Sequence, residues 1–515
     1  MSHPAQIAAR HPDRPALIMA EGGEVLTYGM LAERANRAAH LFRELGLRRG
    51  DTVAFLLENH IRYPELCWAA KEAGLYYVCV STQLTLDDLV YLVRNSGARL
   101  LVSSAALAER ANALAARLEG TLSLLMVDGA RPPFASYEEA LVRQPSTPLP
   151  DRTRGASMLY SSGTTGRPKG VKVPLTDAPP EEPPRRQALL ERDFGFREGM
   201  VFVNPGPFYH AAPLRMMMAV QRLGGTAIGF RAFDPLATLA AIERYRATHG
   251  FFVPTMFIRM LRLAEAERRR YDLSSMEATV HGGAPCAPSV KQAMIDWWGP
   301  VIYEVYGGTE GLGYATISPE EWLAHPGSVG RPAAGSRLRI LDEDGTVLGP
   351  GRTGRVFFNN GYRFAYHGDS GGDAPTHDAE GFATFGDVGY VDEDGYLYLT
   401  DRYANMIVSG GVNIYPQEAE NVLIGHPMVG DVAVIGVPDE EFGEQVKAVV
   451  VPRTPPADPD ALAAELVAYC RARLSPIKCP RSVDFAAELP RSDAGKLLKR
   501  VLKERYWAGH ASFIL

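Results

Sequence analysis

Apolar and polar positions change their spacing in a regular way along the first hundred residues. The apolar positions that recur at helical spacing after Thr27 are Leu31, Ala35, Ala38, Phe42 and Leu45. The segment that follows Gly50 and Asp51, TVAFLL, is continuously apolar, which is typical of a strand buried on both faces. The pattern therefore predicts a helix that leads into a buried strand.

The same exchange recurs twice more. YPELCWAAKEAGL has the pattern of a helix and YYVCV that of a strand. LTLDDLVYLVRNSG then begins with Thr85 and carries Asp88 three residues later, as a capping box would, and RLLVSS is again a strand. Helices that alternate with buried strands predict a parallel, layered α/β sheet.

The segment from Pro174 to Arg186, PLTDAPPEEPPRR, interrupts this alternation. Its proline and charge content is too high for a core element, so we predict an exposed loop that acts as a mobile connector. After it, TLAAIERYRATHG and FFVPTMFIRMLRLAEAERRR return to the α/β pattern.

After about Pro326 the chain changes to short strands and tight turns. RLRILDEDGTVLGPG and GYVDEDGYLYLTDR each place Asp-Gly between alternating runs, which predicts hairpins. A calcium-binding helix-loop-helix is excluded because no twelve-residue ligand loop ending in Glu follows. From Arg402 a small unit begins, with a strand pair in AVIGVPDEEFGEQVKAVVVP and a helix in DALAAELVAYCRARL.

These patterns predict an α/β protein with two domains. Residues 1–401 form a large N-terminal domain of layered α/β sheets with a β-rich part, and residues 402–515 form a small mobile α+β C-terminal domain. The boundary is expected between Thr400 and Tyr403.

Composition narrows the classes of function. The 515 residues carry a formal net charge of −6, so no broad positive field exists that would attract a nucleic acid. Five cysteines form no metal-binding or disulfide pattern, which favours a reducing compartment. No apolar stretch approaches the roughly 18 residues of a membrane span. We expect a soluble, cytoplasmic protein without a nucleic-acid partner or a membrane span.

The stretch YSSGTTGRPKG, from Tyr160 to Gly170, suits a polyphosphate. Its glycines free backbone N–H groups, and hydroxyls and a lysine stand beside them. It does not have the spacing of a kinase-type phosphate loop, in which Ser or Thr follows the lysine. Taken alone, it could equally be a surface turn rich in Gly, Ser and Thr.

Two further glycine-containing turns lie downstream. VYGGTEG presents Tyr306, Thr309 and Glu310 together; near a triphosphate, the carboxylate could hold Mg²⁺ and the tyrosine could lie against a purine. HGGAPC, from His281 to Cys286, would bring bare backbone close to a flat ligand. For either motif on its own, a plain structural turn remains an equal alternative.

The segments FGDVGYVDEDGYLYLTDRYANMIVSGGVNIYPQEAE and LPRSDAGKLLKR complete the set. With them, the chain resembles the acyl-CoA synthetases of the adenylate-forming superfamily, from about Thr27 to Arg500. Single motifs are moderately specific, whereas five of them in this order are highly specific.

The resemblance implies a role for each matching residue. It implies that the phosphates of ATP are held by Ser161, Ser162, Gly163, Thr164, Thr165, Gly166 and Lys169. It implies an adenine site formed by Gly282, Gly283, Ala284, Pro285 and Tyr306, and a ribose site formed by Asp387 and Arg402. The catalytic group that it implies consists of Thr309 near the α-phosphate, Glu310 as the Mg²⁺ ligand, His210 as an aromatic gate beside the acyl pocket, and the mobile Lys496.

The implied reaction has two steps. A carboxylate and ATP are both anions, so positive charge from Mg²⁺ on Glu310 and from Lys496 must offset their repulsion before an acyl-adenylate and pyrophosphate form. This needs no enzyme nucleophile, and Cys286 is expected to be a small apolar residue of its turn. In the second step, the C-terminal domain rotates about residues 402–405 and brings Gly410 and Gly411 to the tunnel of coenzyme A. The thiol of coenzyme A then attacks the acyl-adenylate, and AMP leaves.

Two departures from the family pattern bear on this rotation. Ala404, followed by Asn405, stands where much of the family has Asp or Lys, and HGDSGGDAPTHDAEG replaces the usual segment before Asp387. Because of both departures, the sequence does not predict the relative rates of adenylation and thioester formation.

The acyl pocket is expected to use AAPLRMMMAVQRLGG after His210, FFVPTMF and the region of His281. The sequences PFYHAAP and HGGAPC are similar to the corresponding segments of the branch that acts on fatty, bile-acid, steroid or terpenoid carboxylates. We therefore expect a bulky apolar carboxylate. The methionine run is also the pattern of a plain core helix.

Three alternatives stay open at this stage. The chain could load a carrier protein in place of coenzyme A, could run only one half-reaction, or could be a nucleotide-binding protein without catalysis. We also consider a homodimer.

Overall fold

A computed structural model gives the fold, and it describes residues 3–118, 120, 122–161, 168–362, 365–367, 377–492 and 495–508. Its helices, in chain order, are α1 (Pro4–Arg10), α2 (Tyr28–Glu44), α3 (Tyr63–Glu72), α4 (Leu86–Ser96), α5 (Ala108–Arg117), α6 (Tyr137–Val142), α7 (Arg186–Phe194), α8 (Ala211–Leu223), α9 (Pro235–Tyr245), α10 (Pro254–Leu261), α11 (Glu265–Arg268), α12 (Pro288–Trp298), α13 (Pro319–Ala324), α14 (Pro416–Leu423), α15 (Pro459–Arg471) and α16 (Lys499–Trp507). Short 3₁₀ turns cover Ala105–Leu107, Tyr403–Asn405 and Pro476–Lys478.

The strands, in chain order, are β1 (Pro15–Met19), β2 (Val25–Thr27), β3 (Thr52–Leu56), β4 (Tyr76–Cys79), β5 (Ala98–Ser104), β6 (Ser123–Val127), β7 (Ala135–Ser136), β8 (Ala156–Ser157), β9 (Leu159–Ser161), β10 (Lys169–Lys172), β11 (Val201–Asn204), β12 (Thr226–Gly229), β13 (His249–Phe252), β14 (Ala278–Gly282), β15 (Ile302–Gly307), β16 (Tyr314–Ile317), β17 (Arg331–Pro332), β18 (Arg337–Leu341), β19 (Gly354–Asn359), β20 (Ala365–His367), β21 (Ala383–Val391), β22 (Leu397–Arg402), β23 (Ile407–Ser409), β24 (Val412–Ile414), β25 (Val429–Asp439), β26 (Gly443–Pro452) and β27 (Ser482–Phe485).

The first part of the chain forms a parallel sheet in the order β7-β6-β5-β3-β4-β8. Helix α2 begins after Thr27, whose side chain accepts a hydrogen bond from the N–H of Met30, and it buries the predicted apolar face. Helix α4 begins after Thr85, which accepts from the N–H of Asp88. The carboxylate of Asp88 accepts from the Thr85 hydroxyl, so the predicted reciprocal capping box is only half formed. The predicted parallel α/β layer is confirmed.

A second sheet has nine strands in the order β17-β16-β15-β14-β13-β11-β12-β1-β2. Its centre is parallel, and the strands at both edges are antiparallel. Phe55 of the first sheet and Phe202 of the second belong to the same buried cluster. Burial of one such side chain stabilises the fold by about 1.5–3 kcal/mol. The two sheets are therefore layers around one shared core.

The β-rich part is an antiparallel sheet in the order β18-β19-β21-β22. The predicted hairpin over GYVDEDGYLYLTDR is confirmed, because Val391 pairs with Leu397 across its turn. The other predicted hairpin, over RLRILDEDGTVLGPG, is also confirmed, although it is short. Leu341 and Val347 form an antiparallel bridge, and the N–H of Leu348 donates to the Ile340 carbonyl at 2.8 Å. The longer partner of β18 is β19.

The segment 174–186 is anchored at its centre by a buried arginine. Arg222, which is 3% exposed, donates hydrogen bonds to the carbonyl oxygens of Pro180 at 2.8 Å and Glu181 at 3.1 Å. Arg152 pairs with the Glu181 carboxylate at 2.6 Å. Most of the segment is exposed or half-buried, as predicted, but a mobile connector is wrong for its middle.

The last part of the chain has its own sheet, in the order β24-β23-β26-β25, with β27 beside β26. The predicted strand pair is β25 with β26, and the predicted helix is α15. Ile407, Val434, Val450 and Leu466 are buried in a cluster of their own. Strand β22 of the preceding sheet ends at Arg402, one residue beyond the predicted boundary.

Across the described residues, we find no helix with the length and apolar character that a bilayer crossing requires.

Candidate functional site

Asp387 and Arg402 are partners on the neighbouring strands β21 and β22. The guanidinium Nε lies 3.4 Å from the carboxylate Oδ1, and the Tyr306 hydroxyl donates to Oδ2 at 2.5 Å. Burial raises the pKa of Asp387, and the charge of Arg402 and the hydrogen bond from Tyr306 act in the opposite direction. The predicted ribose pair is therefore brought together, and Tyr306 is part of it.

Tyr306 stands near the end of β15, where its ring meets two other aromatic rings. Phe385 contacts it edge-on at a centroid distance of 6.0 Å, and Phe358 lies tilted at 5.9 Å. Because the hydroxyl is tied to Asp387, the ring has a fixed orientation beside the end of the sheet.

The turn from Gly282 to Pro285 follows β14, the parallel neighbour of β15. Gly282 pairs with Val305, so this turn lies one residue from Tyr306 in register. A Cβ at Gly282 would stand 2.5 Å from the Val305 carbonyl oxygen, and Gly283 has φ +82. The predicted adenine turn and its predicted stacking residue are thus adjacent.

Thr309 and Glu310 lie in the loop after β15. A Cβ at Gly308 would be 2.5 Å from the Phe385 ring and 2.6 Å from Oε2 of Glu310, so the Glu310 side chain folds back over bare backbone. The Thr309 carbonyl oxygen accepts a hydrogen bond from Arg215 of α8 at 3.3 Å.

Tyr366 of β20 links this loop to Lys169, a contact that was not predicted from the sequence. Its hydroxyl donates to Oε1 of Glu310 at 3.2 Å, and the Lys169 ammonium lies 5.3 Å from the centre of its ring. Strands β20 and β10 pair directly, with Tyr366 opposite Val171. Tyr366 lies immediately before the segment HGDSGGDAPTHDAEG, and a lone tyrosine carries no sequence signal for this role.

The backbone of Ser161 ends β9 and pairs with Lys169. The other predicted phosphate-loop residues, Ser162, Gly163, Thr164, Thr165 and Gly166, lie outside the described residues.

His210 precedes α8, and its ring packs against Tyr209 at a centroid distance of 4.8 Å. The loop before it is held by Asn59, which accepts from the Phe208 N–H at 2.6 Å and donates to the Gly206 carbonyl at 3.1 Å. Asn59, in the loop that follows β3, therefore positions the backbone before His210, the predicted gate.

Lys496 reaches this site from the last part of the chain. Gly495 has φ +76, and a Cβ there would be 2.5 Å from Oγ1 of Thr255 on α10. Burial lowers the pKa of Lys496, the charge of Arg402 lowers it further, and Glu310 and Asp387 raise it. Lys496 is therefore placed among the predicted ATP-binding residues.

The turn predicted as a hinge, residues 402–405, is bordered by a buried ion-pair cluster. Lys499 Nζ lies 3.5 Å from Asp401 and 2.8 Å from Glu420. Asp401 also accepts from the side chain of Asn405 at 2.9 Å and the N–H of Gln417 at 3.1 Å. No prediction from the sequence assigned a role to Asp401 or Lys499.

Gly410 and Gly411 form the turn of the β23–β24 hairpin, and both have positive φ, +57 and +79. The Gly410 N–H donates to the Phe442 carbonyl at 2.8 Å, and a Cβ there would meet the Phe442 ring at 3.0 Å. The contacts found for these glycines within the described chain lie on the C-terminal sheet and not at Lys496.

The side chains around the predicted acyl pocket are mostly core. Met216, Met217 and Met218 all belong to the main buried cluster, and Met217 has no exposed surface. His281 is fully buried and lies 3.4 Å from Glu304, which pairs with Lys291 at 2.8 Å. The structure therefore supports the core interpretation of the methionine run.

Cys286 is not suited to nucleophilic catalysis. Burial raises the pKa of its thiol, and the nearby Glu304 carboxylate raises it further. The thiol is therefore protonated at neutral pH and poorly nucleophilic.

The donor set around Glu310 fits one type of cation. Within the described ranges, no three side chains of His, Cys, Asp or Glu group as a metal site would require. Mg²⁺ is commonly held by one or two carboxylates together with phosphate oxygens and water. A single carboxylate, that of Glu310, beside a predicted phosphate site matches this usual coordination of Mg²⁺.

Comparison with known proteins gives matches along most of the chain. The family model described as AMP-binding enzyme matches residues 5–362, and the one described as AMP-binding enzyme C-terminal domain matches residues 418–496. Lys496 is the last residue of the second range, whereas Asp387 and Arg402 lie between the two ranges.

Curated relatives and solved structures cover nearly the whole length. A feruloyl-CoA synthase from Amycolatopsis sp is 35% identical over 509 residues, 98% of each chain. The fatty acid–[acyl-carrier-protein] ligase ScoC of Streptomyces coeruleorubidus is 31% identical and covers 98% of this chain and 96% of its own. The ATP-bound structure of MatB from Rhodopseudomonas palustris has a TM-score of 0.82 at 27% identity, over 98% of this chain and 99% of that one.

Proposed function

This chain belongs to the family of AMP-binding enzymes, and from that premise we propose that the residues around Lys496 carry out adenylation. The protein is an AMP-forming acyl-CoA synthetase. It makes an acyl-adenylate from a carboxylic acid and ATP, and then a coenzyme A thioester with release of AMP.

The observation that carries the assignment of residues is the convergence of Lys496 with Glu310, Asp387 and Arg402. In the proposed first step, the Lys496 ammonium stabilises the charge that develops as the carboxylate oxygen attacks the α-phosphorus. Asp387 and Arg402 hold the ribose hydroxyls, and Thr309 holds the α-phosphate. The turn of Gly282, Gly283, Ala284 and Pro285, together with Tyr306, holds the adenine.

When bound, Mg²⁺ would offset negative charge on the phosphates. Glu310 is its proposed protein ligand, and the hydroxyl of Tyr366 orients that carboxylate. Lys169 and Ser161 to Gly166 are proposed to hold the phosphates that leave as pyrophosphate. Lys169 lies against the ring of Tyr366, and the Tyr366 hydroxyl donates to Glu310. These contacts support the proposal that the phosphate loop and the Mg²⁺ ligand act together.

For the second step we propose that the C-terminal domain, residues 402–515, rotates against residues 1–401. The rotation withdraws Lys496 and presents Gly410 and Gly411 to the thiol arm of coenzyme A. Support comes from the location of the two glycines in a tight turn of the C-terminal sheet, where the Gly410 N–H donates to the Phe442 carbonyl. His210 is proposed to gate the acyl pocket.

A bulky, mainly apolar carboxylate is the proposed substrate class. The supporting observation is a set of small or apolar residues near His210 that are only partly buried, namely Ala211, Ala212 and Ala219 of α8 and Val253 before α10. The cytoplasm is the proposed location, which five free cysteines support, and a homodimer is the proposed oligomeric state.

The test combines both half-reactions. The protein is incubated with ATP, Mg²⁺, coenzyme A and a panel of fatty, ring-bearing and short acids, and mass spectrometry follows adenylate and thioester separately. We expect both products, with bulky apolar acids turned over fastest. Pyrophosphate exchange without thioester formation would contradict the two-step function, and faster turnover of short polar acids would contradict the substrate class.

A carrier protein is a second candidate for the thiol acceptor. A relative at 31% identity is a ligase that acts on an acyl carrier protein, which favours testing this alternative. Supplying a phosphopantetheinylated carrier protein beside coenzyme A in competition decides between them. A half-reaction specialist would convert supplied acyl-adenylate to thioester without catalysing pyrophosphate exchange.

A further inference from the structure

Arg215 is a cation within an otherwise small and apolar stripe of α8. The partly exposed residues on this face are Ala212, Arg215 and Ala219, at the spacing of one helix face. Their neighbours Leu214 and Met217 are fully buried on the other side. Small side chains therefore flank Arg215 on both sides along this face.

The guanidinium reaches the catalytic loop. Nη2 of Arg215 donates to the carbonyl oxygen of Thr309 at 3.3 Å, one residue before Glu310. Arg215 also follows His210 by five residues, which is about 7.5 Å along a helix axis. It therefore lies beside the site and displaced from the gate by a distance that a substrate can span.

Arg215 has no ionised partner in the part of the chain that the structure describes. The charged and phenolic groups that act on it most strongly are another arginine and three tyrosines, with no carboxylate among them, and its buried Nε makes no hydrogen bond. Arg34, by contrast, pairs with Glu65 through two hydrogen bonds of 2.6 and 2.9 Å. A half-buried charge without an ionised partner is costly, so the surroundings of Arg215 favour a partner that comes from outside.

The groups around Arg215 strengthen this preference. Burial lowers its pKa, and the positive charge of Arg186 lowers it further. A Cβ at Gly311 would lie 3.8 Å from the hydroxyl of Tyr314 and 3.7 Å from the ring of Tyr362, so both tyrosines meet beside the same loop. Two guanidinium groups and phenol hydroxyls suit an anion with several acceptor oxygens.

We propose that Arg215, assisted by Arg186, binds a second carboxylate of the acid substrate, so that the enzyme activates one end of a dicarboxylic acid. This inference rests on the proposed function, because it assigns a substrate class to the same site. The apolar walls then contact the chain or ring between the two carboxylates, and Arg215 determines which acids are selected.

The experiment compares two acids of equal length that differ only at the far end, octanoic acid and octanedioic acid. The quantity measured is the ratio of their kcat/KM values in AMP formation with ATP and coenzyme A. We expect the wild-type enzyme to favour the diacid at least tenfold. Arg215→Met should lower this ratio 10-fold to 100-fold, and Arg186→Met should lower it less.

Two controls accompany these variants. Arg117→Met removes a surface arginine that pairs with Asp87 and should leave the ratio unchanged. Arg215→Lys keeps the charge but not the bidentate geometry, and should retain part of the preference. If Arg215→Met does not fold, the wild-type ratio and the Arg186→Met and Arg215→Lys variants still decide the question.

Three outcomes would overturn the proposal. The first is a wild-type ratio near one, and the second is a preference for 8-hydroxyoctanoic acid over the diacid. The third is an Arg215→Met enzyme with an unchanged ratio and a raised KM for ATP, which would assign the guanidinium to a phosphate. If no acid in the wider panel gives an adenylate, the proposed function itself fails, whereas turnover of monoacids alone refutes only the role of Arg215.

Discussion

Lys499 and Asp401 face each other across the turn of residues 402–405, with Nζ and Oδ2 3.5 Å apart. Their side chains are 11% and 4% exposed, and Glu420 adds a second carboxylate to Lys499 at 2.8 Å. Lys499 lies three residues after Lys496. The same short segment thus supplies the proposed catalytic cation and an ion pair to the last strand before the turn.

Replacement of Lys499 by Met should destabilise the protein by about 3–5 kcal/mol, because two buried carboxylates lose their partner. Urea unfolding of the full chain measures this change. Lys478→Met breaks a more exposed pair with Glu418, 2.7 Å apart, and should cost less than about 1 kcal/mol. Equal losses of unfolding free energy in the two variants would show that the buried cluster around Lys499 stabilises the protein no more than an exposed ion pair does.

The pH dependence of adenylation should report the state of Lys496. Its pKa is lowered from the usual 10.5, so the ammonium loses its proton at a lower pH than an ordinary lysine does. The rate of pyrophosphate exchange should therefore fall as the pH rises through that lowered pKa. Lys496→Arg should move the fall to higher pH, and Lys496→Met should reduce the rate about 10²-fold to 10³-fold. An unchanged alkaline limb in Lys496→Arg would assign the fall to another group.

Most of the fold could be predicted from periodicity because the strands are buried on both faces. TVAFLL and YYVCV appear as β3 and β4, and α2 buries four of the five predicted apolar positions, while Leu45 caps its end and is half-buried. Contacts between distant segments could not be predicted in this way. Strand β18 also pairs with β19, which begins thirteen residues after β18 ends, and local turn chemistry does not encode that partner.

Tyr366→Phe should weaken the response to Mg²⁺ without changing the fold. It removes the hydroxyl that donates to Glu310 and keeps the ring beside Lys169. Loss of a hydrogen bond to a charged group costs about 1.5 kcal/mol, so the Mg²⁺ concentration for half-maximal exchange should rise roughly tenfold. Tyr245→Phe on α9 is the matched control. A rise in the KM of the acid alone would instead place Tyr366 at the acyl pocket.

Gly308→Ala should impair catalysis more than stability. The added methyl group would meet the Phe385 ring at 2.5 Å and Oε2 of Glu310 at 2.6 Å, so the carboxylate must move. Overpacking of this kind costs about 1–3 kcal/mol. Gly349→Ala, with nothing within 4 Å of the new methyl group, should have wild-type activity. Recovery of exchange in Gly308→Ala combined with Phe385→Ala would support this steric cause, and its absence would contradict it.

The candidate site was predictable where its residues sit in characteristic motifs. Asp387, Arg402, Glu310 and Lys496 were named from such motifs, and the structure brings them together. Tyr366, Asp401 and Lys499 act through contacts between distant segments, and single residues of these types are common on any surface. Arg215 lies within an otherwise apolar run, and its significance depends on the lack of a carboxylate around it among the residues that the structure describes.

Arg222 and its neighbour Arg154 hold the segment 174–186 through main-chain atoms. Arg222 donates to two carbonyl oxygens, and the Arg154 backbone N–H donates to the carbonyl of Ala178 at 2.9 Å. Every amino acid has the same carbonyl oxygen, so these hydrogen bonds depend on the path of the backbone and not on the side chains of the residues that accept them. Natural variation or a grafted epitope can therefore change this loop widely outside Asp177, Glu181 and Glu182, whose carboxylates pair with arginines, provided that the length of the loop and its proline-set bends are preserved.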